Sequence, residues 1–297
     1  MRALAGHDRL LAIAIRAADA AAAVVRASID PERYTGAINS GGDRVLAVDV
    51  AADQAAQRVL AESCGDAGQP YALFSEESGH RRFGADSPLF VIDPVDGSAQ
   101  ARRFHPDCAV SIAVATGETM AEVVAAVVQP IGGGEPYTAL RGAGAHRGDR
   151  PLPLLPLPDG PAASMLVEGP DATATVRMAG RFAVHDPSCQ IHISGSIALQ
   201  LALLAAGSYD LLVGARPGAC AYDIAAGWLI GLEAGTVFAD LQGLNIERTP
   251  LADISVQHQL VAARRVDLLS MALRVAQSPA MAPGAASQHA EPVDRRE

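Results

Sequence analysis

The stretch from Leu89 to Ser98 places the tightest constraint on how this chain can fold. Its first four residues, Leu-Phe-Val-Ile, are apolar and predict a buried strand. The strand is expected to end at the Asp93-Pro94 step, because proline cannot donate to a sheet ladder. Asp96 follows three residues after Asp93. Since a strand end is fixed in space, both carboxylates can be directed at one point.

Two carboxylates held in this way suit a metal ion. They repel each other, and a hard divalent cation with oxygen ligands, Mg²⁺ in particular, relieves that repulsion. Backbone N–H groups of a turn or helix beginning at Gly97 would supply an anion cradle beside the cation, and this combination indicates phosphate chemistry. The alternative is a strand followed by a capped turn, where Asp, Pro and Gly are common for local reasons. This run alone leaves both interpretations open.

Two further segments carry carboxylates at comparable places. Residues 71–79 predict an apolar strand that ends in Glu76 and Glu77, and residues 221–235 predict a helix with Asp223 at its start, where an aspartate is most often a cap. Taken in order, E-E-S-G, D-P-V-D-G-S and Y-D-x-A-A-G resemble the E-E-S, D-P-I/L-D-G-T and W-D-x-A-A-G motifs of the inositol monophosphatase family of Mg²⁺-dependent phosphatases. The resemblance covers roughly residues 8–265.

Apolar runs and their periodicity predict the elements that carry these motifs. In the first half we expect helices over 8–28 and 50–63, and strands of one sheet at 71–74, 89–92, 109–115 and 121–128. In the second half, helix and strand are expected to alternate at 196–206, 209–213, 222–234 and 236–239, with a last strand and helix over 259–276. The G-x-G at 142–144 lacks the spacing of a dinucleotide-binding loop and indicates a hairpin turn.

The resemblance implies more about the fold than periodicity alone. It implies an α/β (α+β layered) sugar-phosphatase fold, an α-β-α-β-α sandwich that forms one compact catalytic unit. An N-terminal α+β half with the metal motifs would occupy residues 1–150, a C-terminal α/β half would occupy 151–277, and the site would lie between them. Residues 278–297 are rich in Ala, Pro, Ser and charge, and are expected to be a disordered tail.

The resemblance also implies a set of metal ligands. Glu76 would hold the first metal and help to position the attacking water, while Asp93 would bridge metals. The Val95 carbonyl would be a further ligand, and Asp96 and Asp223 would hold a second cation. The cofactor would be two or three Mg²⁺ ions, with Mn²⁺ as the alternative.

Three further positions follow from the same resemblance. The Gly97 and Ser98 N–H groups would face the phosphate, and the Ser98 hydroxyl would assist the water in place of the family's Thr. Asp49 would support a third, weakly bound cation near the nucleophile. The alternative for Asp49 is a cap of the helix predicted over 50–63.

Departures from the family pattern concern the substrate. Ser196 and Ile197 stand in a G-S/T-A motif of the substrate pocket, where Ile197 adds bulk, and Arg216 replaces a Glu that often binds sugar hydroxyls. These changes favour a substrate with an additional anionic group. The pair Arg102-Arg103 could contact a second phosphate or carboxylate, or it could belong to a solvated loop.

Composition excludes several classes of function. The net charge of −10 and the lack of a basic stripe argue against a nucleic-acid partner. The absence of lysine excludes a P-loop and Schiff-base chemistry. The four cysteines form no C-x-x-C pair and indicate buried free thiols in a reducing compartment. No apolar run reaches the ~20 residues of a membrane span, so we expect a cytoplasmic protein; a homodimer is implied by the resemblance.

Three functions are consistent with these observations. The leading one is Mg²⁺-dependent hydrolysis of a small phosphomonoester (inositol-phosphate-like, sugar or related alcohol phosphate) by metal-activated water. The second is a relative of bisphosphate nucleotidases, fructose-1,6-bisphosphatases or histidinol-phosphate phosphatases. The third is a non-catalytic member that binds a phosphorylated ligand. The complete set Glu76, Asp93, Asp96 and Asp223 argues against the third, because binding alone does not require it.

Overall fold

The computed structural model describes residues 2–278 except 29, 39–43, 66–67, 158–159, 163 and 169–170, and in residues 2–5 and 215–218 it describes only the backbone. The tail predicted over 278–297 therefore lies outside the described residues from 279 onward. Among the described helices, none is both long enough and apolar enough to cross a membrane.

Seven α-helices are described. They are α1 (Arg2–Ala27), α2 (Ala47–Leu60), α3 (Ser98–Ala101), α4 (Ala172–His185), α5 (Ile197–Ala206), α6 (Ala221–Glu233) and α7 (Val266–Gln277). A π-helical turn at Ala61–Gly65 extends α2, and a 3₁₀ turn spans Met120–Glu122.

The strands of the described residues form three sheets. A large sheet has the order β3 (Tyr71–Ser75), β4 (Gly79–Asp96), β5 (Ala109–Ala115), β6 (Val123–Pro130), β7 (Tyr137–Leu140), β8 (Gly144–Arg147) and β9 (Arg150–Pro151). A second sheet has the order β11 (Gln190–His192), β10 (Ser164–Glu168), β12 (Leu211–Ala219), β14 (His258–Ala263) and β13 (Val237–Asp240). A small hairpin pairs β1 (Tyr34–Ile38) with β2 (Arg44–Leu46).

The pairing of β3 with β4 in the large sheet brings two predicted motifs together. From β4 to β9 neighbouring strands run antiparallel, but the last part of β4 runs parallel to β3, with Ala72 opposite Leu89 and Ser75 opposite Ile92. Parallel strands end at the same edge of a sheet. The residues that follow β3 and those that end β4 are therefore brought side by side.

Side-chain alternation divides the core into layers. In β3 and β4, Leu73 and Phe90 pack with α1 and α2, whereas Phe74 and Val91 pack with α5 and α6 on the opposite face. The second sheet repeats the pattern: alternate residues of β10 and β12 pack against α5 and α6 or against α4 and α7. The layers run α1/α2, large sheet, α5/α6, second sheet, α4/α7. The predicted α-β-α-β-α sandwich is confirmed.

The predicted elements are largely confirmed, with shifted ends. The four strands predicted for the first half lie in one sheet, and the G-x-G turn joins β7 to β8. The helix predicted over 50–63 begins three residues earlier, at Ala47. The strand predicted to stop before Asp93 continues to Asp96, because Asp93 and Asp96 still pair with β5 across an irregularity in the register. The boundary near residue 150 stays a prediction.

Candidate metal centre and active site

The ends of several elements meet at one cavity of about 710 Å³. The ends of β3, β4 and β10 reach it, as do the first turns of α2, α3, α5 and α6. Its lining is strongly acidic, with carboxylates at Asp49, Glu76, Glu77, Asp93, Asp96, Glu168 and Asp223. The motifs that lie far apart in the sequence are thus brought together.

Three of these residues form a compact cluster. Asp93, Asp96 and Asp223 each offer one carboxylate oxygen, and these oxygens lie within 4.8 Å of one another. Asp93 and Asp96 are buried, and Asp223 is half-buried. Such a group of acidic side chains could hold a metal ion.

Hydrogen bonds fix the two carboxylates of β4. Asp93 Oδ1 accepts from the Val95 backbone N–H at 2.9 Å. Asp96 Oδ2 accepts from the Ser196 hydroxyl and from the Ala198 backbone N–H, each at 2.6 Å. Because Ser196 also caps α5, the N-terminus of that helix holds Asp96 in place.

Asp223 and Asp49 share one position on their helices. The N-cap of α6 is Cys220 and the N-cap of α2 is Leu46, so each aspartate lies three residues inside its helix. Asp223 Oδ2 accepts from the Cys220 N–H at 2.5 Å. This hydrogen bond fixes the Asp223 carboxylate at the start of α6, where it forms the cluster with Asp93 and Asp96. The alternative that Asp49 caps its helix is wrong.

A buried polar contact ties α2 to the end of β3. Asp53 accepts from the Ser75 hydroxyl at 2.7 Å and from Gln57 Nε2 at 2.6 Å. Ser75 is the residue before Glu76, and the Glu76 N–H donates to the Ile92 carbonyl at 3.2 Å. These contacts hold Glu76 beside the end of β4.

The carboxylates of the site disfavour one another when ionised. Burial raises the pKa of Glu76 well above its usual range, and repulsion from Asp223 adds to the shift. Burial is also the main cause that raises the pKa of Asp93, and repulsion from Glu76 is the second. For Asp96, burial again raises the pKa most, and repulsion from Asp223 adds to it. A hard divalent cation would relieve this repulsion, so the donor set fits such an ion.

Asp49 is buried at the edge of this group. The pKa of Asp49 is raised to about 7, mainly by burial; the Ser98 hydroxyl opposes this shift, and repulsion from Glu77 adds to it. Within the described residues, Asp49 Oδ1 has no hydrogen-bond partner although it is buried. An ion or a water at this oxygen would satisfy it.

Gly97 is required by its backbone and its neighbours. Its φ is +90°, and a Cβ there would lie 3.0 Å from the Asp107 carbonyl oxygen and 3.2 Å from Cys108 Cβ. The next residue, Ser98, donates from its hydroxyl to the Val95 carbonyl at 2.9 Å. The residues predicted to face the phosphate therefore form one tight turn on the cavity wall.

Of the predicted substrate residues, Ile197 lines the cavity. Ser196 is fully buried, and its hydroxyl contacts Asp96. The side chain of Arg216 lies outside the described residues.

The comparisons with known proteins decide the family. Residues 7–282, nearly the whole chain, match the profile of the Inositol monophosphatase family.

The chain belongs to the inositol monophosphatase family.

Its relatives include proteins with different names. The chain is 30% identical over 274 residues to a "Fructose-1,6-bisphosphatase/inositol-1-monophosphatase" of Methanothermobacter thermautotrophicus, covering 86% of this chain and 92% of that one. It is 34% identical over 241 residues to "Nus factor SuhB" of Pasteurella multocida, covering 79% and 86%. The crystal structure of the extragenic suppressor protein suhB from Bartonella henselae superposes with a TM-score of 0.73 at 23% identity, covering 90% and 98%.

Membership in this family supports a class of activity. Because the family and the named relatives are phosphatases, this chain is a phosphoric monoester hydrolase, and its substrate is a small phosphorylated molecule. Catalysis in the family depends on metal, and the acidic cluster supplies residues that could bind one.

The residues of this site that the sequence did not predict include Tyr34, Arg44 and Glu168, and also Gln200, which holds Glu168. Gln200 Nε2 donates to Glu168 Oε1 at 2.7 Å. A signal for Glu168 exists, since it ends an apolar strand as Asp93 follows one. Tyr34 and Arg44 lie on a short, largely exposed hairpin that carries no such signal.

Proposed function

We propose that this chain hydrolyses a small phosphomonoester, an inositol-phosphate-like, sugar or related alcohol phosphate, with Mg²⁺ as its cofactor. The observation that carries the proposal is the cluster of Asp93, Asp96 and Asp223, whose oxygens lie within 4.8 Å of one another inside the cavity. Buried carboxylates that repel one another are costly unless a cation joins them, and Mg²⁺ accepts carboxylate oxygens while keeping sites for water and phosphate.

The metal ligands would be Glu76, Asp93, Asp96, Asp223 and the Val95 carbonyl, and Asp49 would face a third ion. Two or three Mg²⁺ ions would bind, with Mn²⁺ as the alternative. Bound metal supplies a Lewis acid for the phosphoryl oxygens and lowers the pKa of a water.

The protein's own contribution is to hold the reacting groups in place. Asp93 and Asp96 already accept hydrogen bonds from the backbone, so they need little rearrangement during the reaction. Glu76, whose carboxylate lines the cavity, would help to position the attacking water. Ser98 would orient that water through its hydroxyl, and the turn at Gly97 would present N–H groups to the phosphate.

The choice of substrate is guided by the relatives. One of them is named both as a fructose-1,6-bisphosphatase and as an inositol-1-monophosphatase, which favours inositol 1-phosphate and fructose 1,6-bisphosphate as first candidates. The name Nus factor SuhB says nothing about a substrate. These two compounds are therefore the first to be assayed.

The test is phosphate release from a panel of phosphomonoesters. The panel holds inositol 1-phosphate, fructose 1,6-bisphosphate, histidinol phosphate and adenosine 3′,5′-bisphosphate, each with Mg²⁺ and with chelator. Asp96→Asn serves as the control, because it keeps the shape of the side chain and removes its charge. Release that requires both Mg²⁺ and Asp96 supports the proposal. No release from any compound by folded protein would favour a ligand-binding role.

A further inference from the structure

Two arginines share one tyrosine at the wall of the cavity. Arg102 Nη1 donates to the Tyr34 hydroxyl at 2.7 Å, and the Arg44 guanidinium carbon lies 4.1 Å from the centroid of the Tyr34 ring. All three residues line the same cavity as the acidic cluster. We call Arg44 and Arg102 the arginine pair.

The arginine pair has no carboxylate partner in the described part of the chain. Five other arginines form ion pairs there: Arg26, Arg82, Arg150, Arg264 and Arg265. Arg102 Nε is buried and, among the described residues, has no hydrogen-bond acceptor. Because Arg44 and Arg102 line the cavity without a carboxylate partner among the described residues, their guanidinium groups can donate to an anionic ligand there.

We propose that the arginine pair binds a second anionic group of the substrate, a phosphate or a carboxylate, while the acidic cluster serves the phosphate that is cleaved. The inference rests on the proposed function, because it assigns a second contact to the substrate of the same site. The substrate would then carry two anionic groups.

The chemistry of the arginine pair fits such a group. A guanidinium presents its N–H donors as a planar fork that matches the oxygens of phosphate or carboxylate. Tyr34 holds both guanidinium groups by a hydrogen bond and a ring contact, which lowers the entropy lost when a ligand binds. Tyr34 is thus a positioning residue.

The size of the cavity is consistent with a second anionic group. A volume of about 710 Å³ falls within the range of small-molecule sites, on the order of 300 to 1,000 Å³, and exceeds the needs of a single phosphate. An alternative is that the arginine pair balances the acidic lining at a distance. Charge balance of that kind does not require both guanidinium groups to be held by the same tyrosine.

The neighbouring Arg103 is a matched control. It follows Arg102 directly, is exposed, and is absent from the lining of the cavity. Arg103→Gln and Arg102→Gln remove the same charge from adjacent positions. A difference between the two variants therefore reports the position of Arg102 and not the net charge of the protein.

The experiment compares substrates that differ only in the second anionic group. One pair is fructose 1,6-bisphosphate and fructose 1-phosphate, and the other is 3-phosphoglycerate and glycerol 3-phosphate. We expect Arg44→Gln and Arg102→Gln to raise KM about 10- to 100-fold for one or both doubly anionic members. The singly anionic members should change less than about twofold, and Arg103→Gln should change neither. The substrate pair whose KM values respond tells whether the arginine pair binds phosphate or carboxylate.

Several results would overturn the inference. One is an equal loss for both members of each pair, which would mean general damage to the site. Another is the same effect from Arg103→Gln, and a third is no effect from either arginine of the pair. Arg102→Lys keeps the charge without the fork, and should recover only part of the discrimination.

Failure of the proposed function would give a distinct result. If folded wild-type protein releases phosphate from none of these compounds, the proposed function fails. Calorimetry with fructose 1,6-bisphosphate and 3-phosphoglycerate, which then stay intact, still tests the arginine pair. Binding weakened by Arg102→Gln and not by Arg103→Gln supports the inference, and equal affinity or no binding contradicts it.

Discussion

Asp96 depends on a helix that lies far from it in the sequence. Its Oδ2 accepts from the Ser196 hydroxyl and the Ala198 N–H, which are 100 and 102 residues away. A carboxylate held by two short hydrogen bonds is directed at the cluster before any ligand arrives. This is the contact through which α5 influences the proposed chemistry.

Loss of the Ser196 hydroxyl should therefore weaken metal binding without unfolding the protein. We expect Ser196→Ala to lower Mg²⁺ affinity about 10- to 100-fold, as observed for residues that orient metal ligands, and to cost ~1 kcal/mol of unfolding free energy as a lost helix cap. Ser196→Thr keeps the hydroxyl and should retain the affinity. Mg²⁺ titrations followed by calorimetry measure both variants, and unchanged affinity in Ser196→Ala would contradict the account.

His258 should make the free energy of unfolding depend on pH even when no metal is bound. It is 6% exposed in β14, and burial lowers its pKa to about 4. In the unfolded chain its pKa is about 6.5. Because the pKa of His258 is lower in the folded state than in the unfolded chain, its contribution to the free energy of unfolding is fully present above pH ~6.5. This contribution is lost as the pH falls towards 4.

The variant His258→Gln should remove this dependence. In chelator, the free energy of unfolding of the wild type should fall between pH 7 and pH 5 by about 2 kcal/mol more than that of the variant. Urea denaturation at the two pH values measures the difference. Parallel pH dependence in both proteins would show that His258 does not titrate as described.

At the scale of elements, the packing of α5 against α6 connects the two helices that begin at the site. Their first turns carry the contacts to Asp96 and the side chain of Asp223. The helices approach closely at Gly227, where a Cβ would lie 2.6 Å from Leu201 Cβ. A side chain at this position must push the helices apart.

Gly227→Ala should therefore destabilise the protein by about 1–3 kcal/mol, as overpacking does. The matched control is Gly180→Ala in α4, where a Cβ meets nothing within 4 Å. That change should stabilise by about 0.5–1 kcal/mol, because alanine is the better helix former. Denaturant unfolding of both variants measures the contrast, and a stable Gly227→Ala would contradict the described packing.

Elements with long apolar runs were predictable from the sequence, and short ones were not. β3 to β6 each present five or more buried residues in succession, whereas β1, β2, β7, β8 and β9 have only two to five residues each. The predicted start of α2 is wrong by three residues, because the N-cap of this helix is Leu46, which has no capping side chain. Asp49 offered the better cap by composition, yet it lies inside the first turn.

At the scale of the whole molecule, the sequence predicts the acidic part of the site better than the basic part. The carboxylates follow strands or begin helices, and those motifs place them in a recognised order. The arginine pair depends on a contact between Tyr34 and Arg102, which are 68 residues apart. No local pattern reports such a contact. The cytoplasmic location and the homodimer stay predictions.

The most direct test of the account is the rate of phosphate release as a function of free Mg²⁺, for the wild type and for Asp223→Asn. The asparagine can still accept from the Cys220 N–H and so retain the start of α6. We predict saturable activation of the wild type, and a loss on the order of 100- to 1,000-fold in the variant, since metal supplies several kcal/mol of transition-state stabilisation. Release that is independent of Mg²⁺, or equal activation of both proteins, would contradict the account.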